Sequence, residues 1–439
     1  MLHEATSRAL TAAGVGPGAR LCCALSGGVD SVVLLQLLHE LAPRIGFSLR
    51  AAHVHHGLSP HADDWAQACA ARCARLQIPF SLFRVAVPRD DRAGLEAAAR
   101  RLRHAALEQV DCDWLVFGHH LDDQAETLLF RLLRGSGVRG AAAMAAFEPP
   151  RAGRRGRLRP LLDCRRSDIV VWARQQGLSW VEDESNAVLD FSRNHLRHRV
   201  LPLIEQRFPA ASITLARAAE HFREASGLLD ELAALDDSAC GGALLQRDHV
   251  LALSDARAAN LLRWKLRQAG FLVPVQAQLD EALRQLRTVG PTQALRVTLG
   301  DVACCAYRGH MWLEAVARDP LYAQAWRGEA CLPWGEGMVS FGRVVGDGLA
   351  CDALDKAAVV LLAARSPGLR MRLGVGRPRR SFKNLSQEAG IPAWMRDRLP
   401  VLWVDGEPAW IGGIGVAAEF ACSPQAEGVL PEWLPVRAA

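Results

Sequence analysis

Lysine is nearly absent from this 439-residue chain: of its 52 basic side chains, only Lys265, Lys356 and Lys383 are lysines. A Walker-type phosphate loop requires a lysine beside its glycines, and none occurs before Lys265, so that machinery is excluded from the first half of the chain. No segment offers about 18 uninterrupted apolar residues. Met1 to Arg20 mixes Glu4, Arg8 and Arg20 with only a short apolar stretch and lacks a signal-peptide core, so a soluble, cytoplasmic protein with no membrane partner is expected. Also missing are a Cys-x-x-Cys pair and a dense cysteine framework. The 12 cysteines are scattered, with adjacent pairs at Cys22-Cys23 and Cys304-Cys305, and reduced, buried thiols are the expectation.

With 50% hydrophobic and 23% charged residues, the composition is that of a folded globular protein rather than a disordered or fibrous one. The length exceeds a usual single core, which predicts two or three domains. A net charge of +5 is modest at this size, so local clustering of arginine says more about a nucleic-acid partner than the total does.

Leu21 to Leu25 is a short apolar run that ends in Ser-Gly-Gly, and Val32, Leu35, Leu38 and Leu41 then recur at helical spacing. This predicts a strand, a loop and a helix. Further apolar runs at Leu49 to Val54, Phe80 to Val87 and Trp114 to Phe117 alternate with helical patterns at Asp63 to Leu76 and Leu95 to Val110. Such alternation implies an α/β domain with a doubly wound parallel sheet, expected over residues 1–205. Ligands bind such sheets beyond the strands' carboxyl ends, where the Ser26 loop, His53 to Gly57 and Gly118 to His120 would lie. Residues 206–325 read as a helical middle domain, with Leu228, Leu229, Leu232 and Leu235 on one stripe. Residues 326–439, rich in glycine, proline and short apolar runs, read as a small β-rich or α+β domain.

Ser26-Gly27-Gly28-Val29-Asp30-Ser31 sets small residues where backbone N–H groups can close around phosphate oxygens at the positive end of a helix. An ordinary glycine turn is the plainer alternative, but the added Ser26, Asp30 and Ser31 argue against it. Asp122, Asp123 and Glu126 fall on neighbouring parts of one helical face and could hold Mg²⁺, grip an ammonium group or accept its proton. First-turn acids that complement a helix dipole are the bland alternative. Leu128, Leu129, Leu132 and Leu133 read as core, as do the thiols of Cys69 and Cys73.

The Ser26 to Ser31 run resembles the signature of the PP-loop ATP pyrophosphatases, with their adenine nucleotide alpha hydrolase-like fold, which cleave ATP to AMP and pyrophosphate. The later motifs narrow the resemblance. They are His53-Val54-His55-His56-Gly57-Leu58, Gly118-His119-His120-Leu121-Asp122-Asp123-Gln124-Ala125-Glu126-Thr127, Leu132 to Gly137, Arg159-Pro160-Leu161-Leu162, Asp183-Glu184-Ser185-Asn186 and Arg193-Asn194-His195-Leu196-Arg197. In this order, and with Lys383 and Ile391 to Pro400 in the tail, they are similar to the tRNA(Ile)-lysidine synthetase family. The match is densest before Pro202 and weakest from about Ala210 to Gly328.

The resemblance implies a carbon-nitrogen ligase that uses ATP and Mg²⁺ to join free L-lysine to the wobble cytidine of an isoleucine tRNA with a CAU anticodon. That changes codon reading from AUG to AUA. It implies ATP binding at Ser26, Gly27, Gly28, Val29, Asp30, Ser31, His53, His55, Gly118 and His119, with Asp30 as a Mg²⁺ ligand. Lysine would meet Asp122, Asp123 and Glu126, with Asp30, Asp123 and Glu126 in catalysis. Candidate tRNA contacts are Arg134, Arg159, Arg193, Arg197, Arg380, Lys383 and Arg396, and two arginine-rich regions, Arg151 to Arg166 with Arg193 to Arg199 further on, and Arg370 to Lys383, suit a ligand as long as tRNA. A homodimer is left open. Three alternatives stand beside this: another PP-loop enzyme such as a tRNA thiolase or a small-molecule amide synthetase, a metal-dependent hydrolase built on the histidines, and a non-catalytic tRNA-binding protein that uses ATP only as a structural ligand. The missing Cys-x-x-Cys pair weighs against the first, and Gly57-Leu58, where a zinc site wants an Asp-His pair, against the second.

Overall fold

The computed structural model describes residues 1–88, 90–91, 94–151, 153–182, 192–290, 293–316 and 319–434. They divide into two units, Met1–Leu228 and Leu229–Ala439.

The first unit is built on six strands: β1 (Arg20–Ala24), β2 (Ser48–His55), β3 (Phe80–Arg84), β4 (Trp114–Val116), β5 (Phe147–Glu148) and β6 (Gly156–Leu158). Their order is β3-β2-β1-β4-β6-β5, parallel throughout except for β5 at the edge. The chain winds outward from β1 in both directions, so the crevice between the ends of β1 and β4 is the switch point where ligands of such sheets bind. Around the sheet lie α1 (Leu2–Ala12), α2 (Val29–Ile45), α3 (Ala62–Arg75), α4 (Leu95–Leu107), α5 (Leu121–Leu133), α6 (Val138–Ala141) and α7 (Arg166–Gln175). Leu34, Leu35, Leu37 and Leu38 of α2 are all fully buried, so this helix is enclosed on most sides, and its first turn is correspondingly fixed beneath the crevice.

The second unit contains the helices Asp255–Gln268 and Gln276–Thr288, which pack on a four-stranded antiparallel sheet formed by Leu245–Gln246, Leu295–Leu299, Val302–Tyr307 and His310–Ala315. That sheet was not legible in the expected helical middle region: Val302–Tyr307 is a continuous apolar run without alternation, because it is covered on both faces. Beyond it the chain is β-rich, with a five-stranded and a four-stranded sheet closing on Trp334, Leu362, Leu402 and Trp410.

One core assignment is corrected. Leu128 is buried, but Leu132 and Leu133 are 43% and 75% exposed, because the last turn of α5 runs past the sheet into solvent. On the helix Ala211–Cys240, Leu228 and Leu235 of the leucine stripe are 65% and 69% exposed; the buried positions instead include Ala219, Ser226, Ala233, Asp236 and Cys240.

Candidate active site

Three segments meet at the ends of β1, β2 and β4. After β1 the chain turns at Gly27, whose φ of +93° is left-handed backbone that suits glycine, and α2 begins with Gly28 at its N-cap. The Ser31 hydroxyl is the internal staple of this loop. It accepts the N–H groups of Ser26 and Gly27, both at 3.2 Å, donates to the Gly28 carbonyl at 3.0 Å, and lies 3.0 Å from Ser26 Oγ. The two serines therefore shape the loop. Gly28 offers no capping side chain, so the first-turn N–H groups of α2, at Val29, Asp30 and Ser31, are oriented for an external anion. Val29's own side chain is in the core.

Asp30 stands in that first turn with one oxygen, Oδ1, buried and without a hydrogen-bond partner. Burial raises its affinity for a proton, against the opposing charges of His120, Arg166 and Arg197. Gly118 is needed where it is: a Cβ there would lie 2.9 Å from the carbonyl carbon and oxygen of Asp30, so the β4 end can pass α2 only without a side chain.

His53 is buried and donates from Nδ1 to the Leu25 carbonyl at 2.8 Å, and burial lowers its pKa, so it tethers the start of the loop to β2 as a neutral ring. His55 lies 3.3 Å from Asp63 and is less directly tied to the loop. His119 stacks on Phe117 with centroids 5.7 Å apart, its Nδ1 buried without a partner. Burial pushes its pKa down to about 3, despite Asp123 nearby.

His120, expected at the ligand-binding strand ends but given no role there, is the hub. It is 1% exposed and caps α5, its backbone N–H donating to Asp123 Oδ2 at 3.0 Å. Its Nε2 lies 3.4 Å from Asp123 and 3.8 Å from Asp30, and its Nδ1 lies 3.4 Å from Asp122. That Nδ1 is also 3.4 Å from the Asp123 N–H, so it accepts this proton when the ring is neutral and donates to Asp122 when the ring is charged. Burial opposes the charged ring, but the carboxylates of Asp123, Asp122 and Asp30 outweigh it and raise the pKa. The signal for this role was legible as a polar residue three positions before an acid at a helix start.

The three expected lysine-binding carboxylates differ in what they already hold. Asp122 Oδ2 accepts the Arg166 N–H at 2.8 Å, at the start of α7. Asp123 accepts Arg197 Nη2 at 2.8 Å; burial acts to raise its pKa, but His120, His119, Arg193 and Arg197 hold it at about 2. Glu126 accepts Arg197 through both oxygens, at 2.5 and 3.0 Å, and Arg193 Nε at 3.3 Å. Arg193 and Arg197, expected at the tRNA, are thus drawn into the carboxylate cluster.

The remaining expected tRNA contacts divide by exposure. Arg159 is corrected: it is 7% exposed and donates inward to the Ala145 carbonyl at 2.7 Å and Glu148 at 3.0 Å, because its strand end is covered. Arg134 is exposed at the end of α5, over the Phe130 ring at 4.8 Å. In the second unit Arg380 and Lys383 are exposed, Arg380 pairing with Glu388, and Arg396 is half-buried, donating to the Ile391 carbonyl. Asp183 to Asn186 lie outside the described residues.

Mg²⁺ was implied by the sequence resemblance, and one feature fits it. The buried, unpartnered Asp30 Oδ1 beside an anion-binding helix start is the donor expected where Mg²⁺ takes a single protein carboxylate and completes its shell with phosphates and water. Among the described residues no group of three or more histidines, cysteines or carboxylates is placed to hold a metal by itself.

An uncapped helix start after β1 at the switch point of a doubly wound sheet defines a nucleotide-binding α/β enzyme. Residues 2–204 match the model of the PP-loop domain, an ATP-binding family, residues 245–312 that of the TilS substrate binding domain, and residues 360–433 that of the TilS substrate C-terminal domain. The tRNA(Ile)-lysidine synthase of Azoarcus sp. is 58% identical over 98% of this chain and 95% of its own, and that of Aromatoleum aromaticum 59% over 97% and 99%. That of Nitrosomonas europaea is 39% identical over 96% and 93%. The chain belongs to the tRNA(Ile)-lysidine synthase family and is an ATP-using enzyme. Among the described residues no helix is long and apolar enough to cross a membrane.

Proposed function

We infer that this enzyme ligates free lysine to the wobble cytidine of the CAU-anticodon isoleucine tRNA, in two half-reactions at the β1–β4 crevice. The observation that carries this is Asp30: a half-buried carboxylate with one buried, unpartnered oxygen, set at an uncapped helix start and 3.8 Å from a histidine that faces two further carboxylates. It brings a phosphate site and a cation site within one crevice.

In the first half-reaction the cytosine O2 attacks the α-phosphorus of ATP and pyrophosphate leaves. The first-turn amides of α2 hold phosphate oxygens and orient the chain of phosphates for displacement. Mg²⁺, when bound at Asp30, supplies neutralisation of phosphate charge. In the second half-reaction the lysine ε-amine attacks C2 of the adenylated cytosine, a C–N bond forms and AMP departs with the O2 electrons.

The free amine has a pKa of about 10.4 and must lose a proton before it attacks. Asp123 and Glu126, locked by two guanidinium groups, supply fixed negative charge that draws the ammonium in. Asp122, one-third exposed, keeps Oδ1 clear of its bond to Arg166 and is the oxygen best placed to grip it. Asp30, whose proton affinity burial raises when no cation is bound to it, is the proposed acceptor of the proton in the second half-reaction. Arg134, Arg380, Lys383 and Arg396 are proposed to contact tRNA.

The test is incubation with ATP, labelled lysine and unfractionated tRNA from a strain lacking its own lysidine activity, followed by mild alkali. A C–N bond to the base survives and an aminoacyl ester does not. Absence of alkali-stable label on the tRNA would sink this reading.

A further inference from the structure

The nucleotide loop is held from inside by Ser31 and His53, and from outside by a segment that no motif marked. The Val181 N–H donates to the Gly27 carbonyl at 3.0 Å, so residues 179–181 run alongside the loop as a short outer rail. The rail lies in ordinary contact with the loop, a Cβ on Gly27 lying 3.7 Å from Val181 Cγ2, while Cys69 Sγ of α3 would be nearer at 3.3 Å. What holds the rail is Arg72 of α3. Its Nη2 donates to the Ser179 carbonyl and, at 3.2 Å, to Ser179 Oγ.

Arg72 is unusual for a purely structural arginine. It is 8% exposed, its Nη1 is buried without a hydrogen-bond partner, and among the described residues it makes no ion pair. A buried, uncompensated guanidinium works against the stability of the fold, so a packing role alone would be served better by an apolar side chain of the same length. Beside it, between α3, the rail and the loop, lies a cavity of about 110 Å³ lined by Leu25, Gly27, Cys69, Arg72 and Val181. The rail is therefore not wedged in place by close packing on that side. Its other side rests on the core, where Leu178 and Trp180 pack and the Leu178 N–H donates to the Ala173 carbonyl at 2.9 Å, so on the loop side its ties are the Arg72 bonds at Ser179 and the Gly27 bond at Val181.

We propose that Arg72 is a positioning residue for ATP: by anchoring Ser179 it fixes Val181 against the Gly27 carbonyl and so sets the direction of the loop amides that receive phosphate. This rests on the reading that ATP is bound by the Ser26 to Ser31 loop. Arg72 acts through Ser179, Val181 and Gly27 and touches neither lysine nor tRNA. Its loss therefore acts on the Michaelis constant for ATP.

The experiment measures steady-state pyrophosphate release by the full-length enzyme with ATP, lysine and tRNA varied in turn, for wild type, Arg72→Met and Arg72→Lys. Arg72→Met keeps the length and removes the donors. It is expected to raise KM for ATP about tenfold, the scale of a lost charged hydrogen bond, while kcat and KM for lysine stay within about twofold. Arg72→Lys, which retains a donor, is expected to recover part of the loss. Melting temperatures with and without ATP accompany the kinetics: Arg72→Met should lose most of the ATP-induced rise. An unchanged KM for ATP in Arg72→Met would overturn the proposal, whether or not the apo melting temperature falls, since a merely structural arginine alters stability alone. If the wild type itself released no pyrophosphate, the ATP reading and not the Arg72 proposal would have failed.

Discussion

Arg197 grips Glu126 through two nitrogens, Nε to Oε1 at 2.5 Å and Nη2 to Oε2 at 3.0 Å, and the carboxylate it holds is 1% exposed. Such a fork is specific to arginine, whose planar donors match a carboxylate edge, and it leaves Glu126 charged in a place that water barely reaches. Removing Arg197 leaves the buried Glu126 carboxylate with only the 3.3 Å bond from Arg193 Nε to balance its charge, and takes from Asp123 its bond at 2.8 Å. Arg197→Ala is expected to cost about 3 to 5 kcal/mol in urea unfolding and to abolish ligation. Glu126→Gln should cost less stability while losing ligation equally. The double variant Arg197→Ala, Glu126→Ala should recover stability without activity, and a double variant as unstable as Arg197→Ala would refute the pairing argument.

Asp30 carries the opposite prediction. Its carboxyl is pushed upward in pKa by burial, so in the empty enzyme its negative charge works against folding at neutral pH. Asp30→Asn is expected to raise the apo melting temperature by a few degrees, on the order of 1 kcal/mol, and to reduce ligation at least about a hundredfold. Differential scanning calorimetry and the labelled-lysine assay read the two effects separately. A variant both less stable and fully active would remove Asp30 from the site.

What the sequence revealed of this site followed from how local each signal is. Ser26 to Ser31, with its neighbouring strand and helix, is one contiguous run, and the parallel sheet followed from alternating apolar runs. The pairing of Arg197 with Glu126 spans 71 residues, so the arginines were assigned to tRNA and the acids to lysine when each partly satisfies the other. Arg159 looked like surface charge because composition does not report burial. Val302–Tyr307 looked unlike a half-exposed strand because both its faces are covered. The Arg72 to Ser179 anchor, across 107 residues, leaves no sequence pattern at all.

His120 gives the site a pH dependence. Its pKa is raised above the ordinary histidine value by Asp123, Asp122 and Asp30, so its charged form stabilises the fold fully below about pH 6.5. That contribution is lost as pH rises through the folded-state value. The stability gap between wild type and His120→Gln is therefore expected to be widest near pH 6 and to shrink toward pH 9, as followed by thermal melting across buffers. A gap that widens with pH would show that the ring is held neutral.

Gly118 tests the packing of β4 against the nucleotide helix. A methyl group there meets the Asp30 backbone at 2.9 Å, and backbone cannot swing aside as a side chain can. Gly118→Ala is expected to cost about 1 to 3 kcal/mol and to weaken ATP binding by displacing the first turn of α2. Isothermal titration with a non-hydrolysable ATP analogue measures the second effect. Gly57→Ala is the comparison: its φ of +66° strains an added side chain, but nothing lies within 4 Å of its Cβ, so it should alter stability and spare ATP affinity.

The exposed basic cluster of the second unit is open to a sharper test than loss of binding, because a phosphate contact and a base contact respond differently to salt. Lys383 lies one residue into the helix Phe382–Glu388 and is exposed, and it stands beside Arg380, which is partly engaged with Glu388. If Lys383 meets the tRNA backbone, Lys383→Ala should weaken binding of cognate and non-cognate tRNA by similar factors and flatten the salt dependence of log K by about one contact's worth. Arg380→Ala should do less, since Glu388 already shares its charge. Filter binding at several salt concentrations reads both slopes. A loss confined to the isoleucine tRNA, with the slope unchanged, would instead assign Lys383 to recognition of the tRNA's identity rather than its charge.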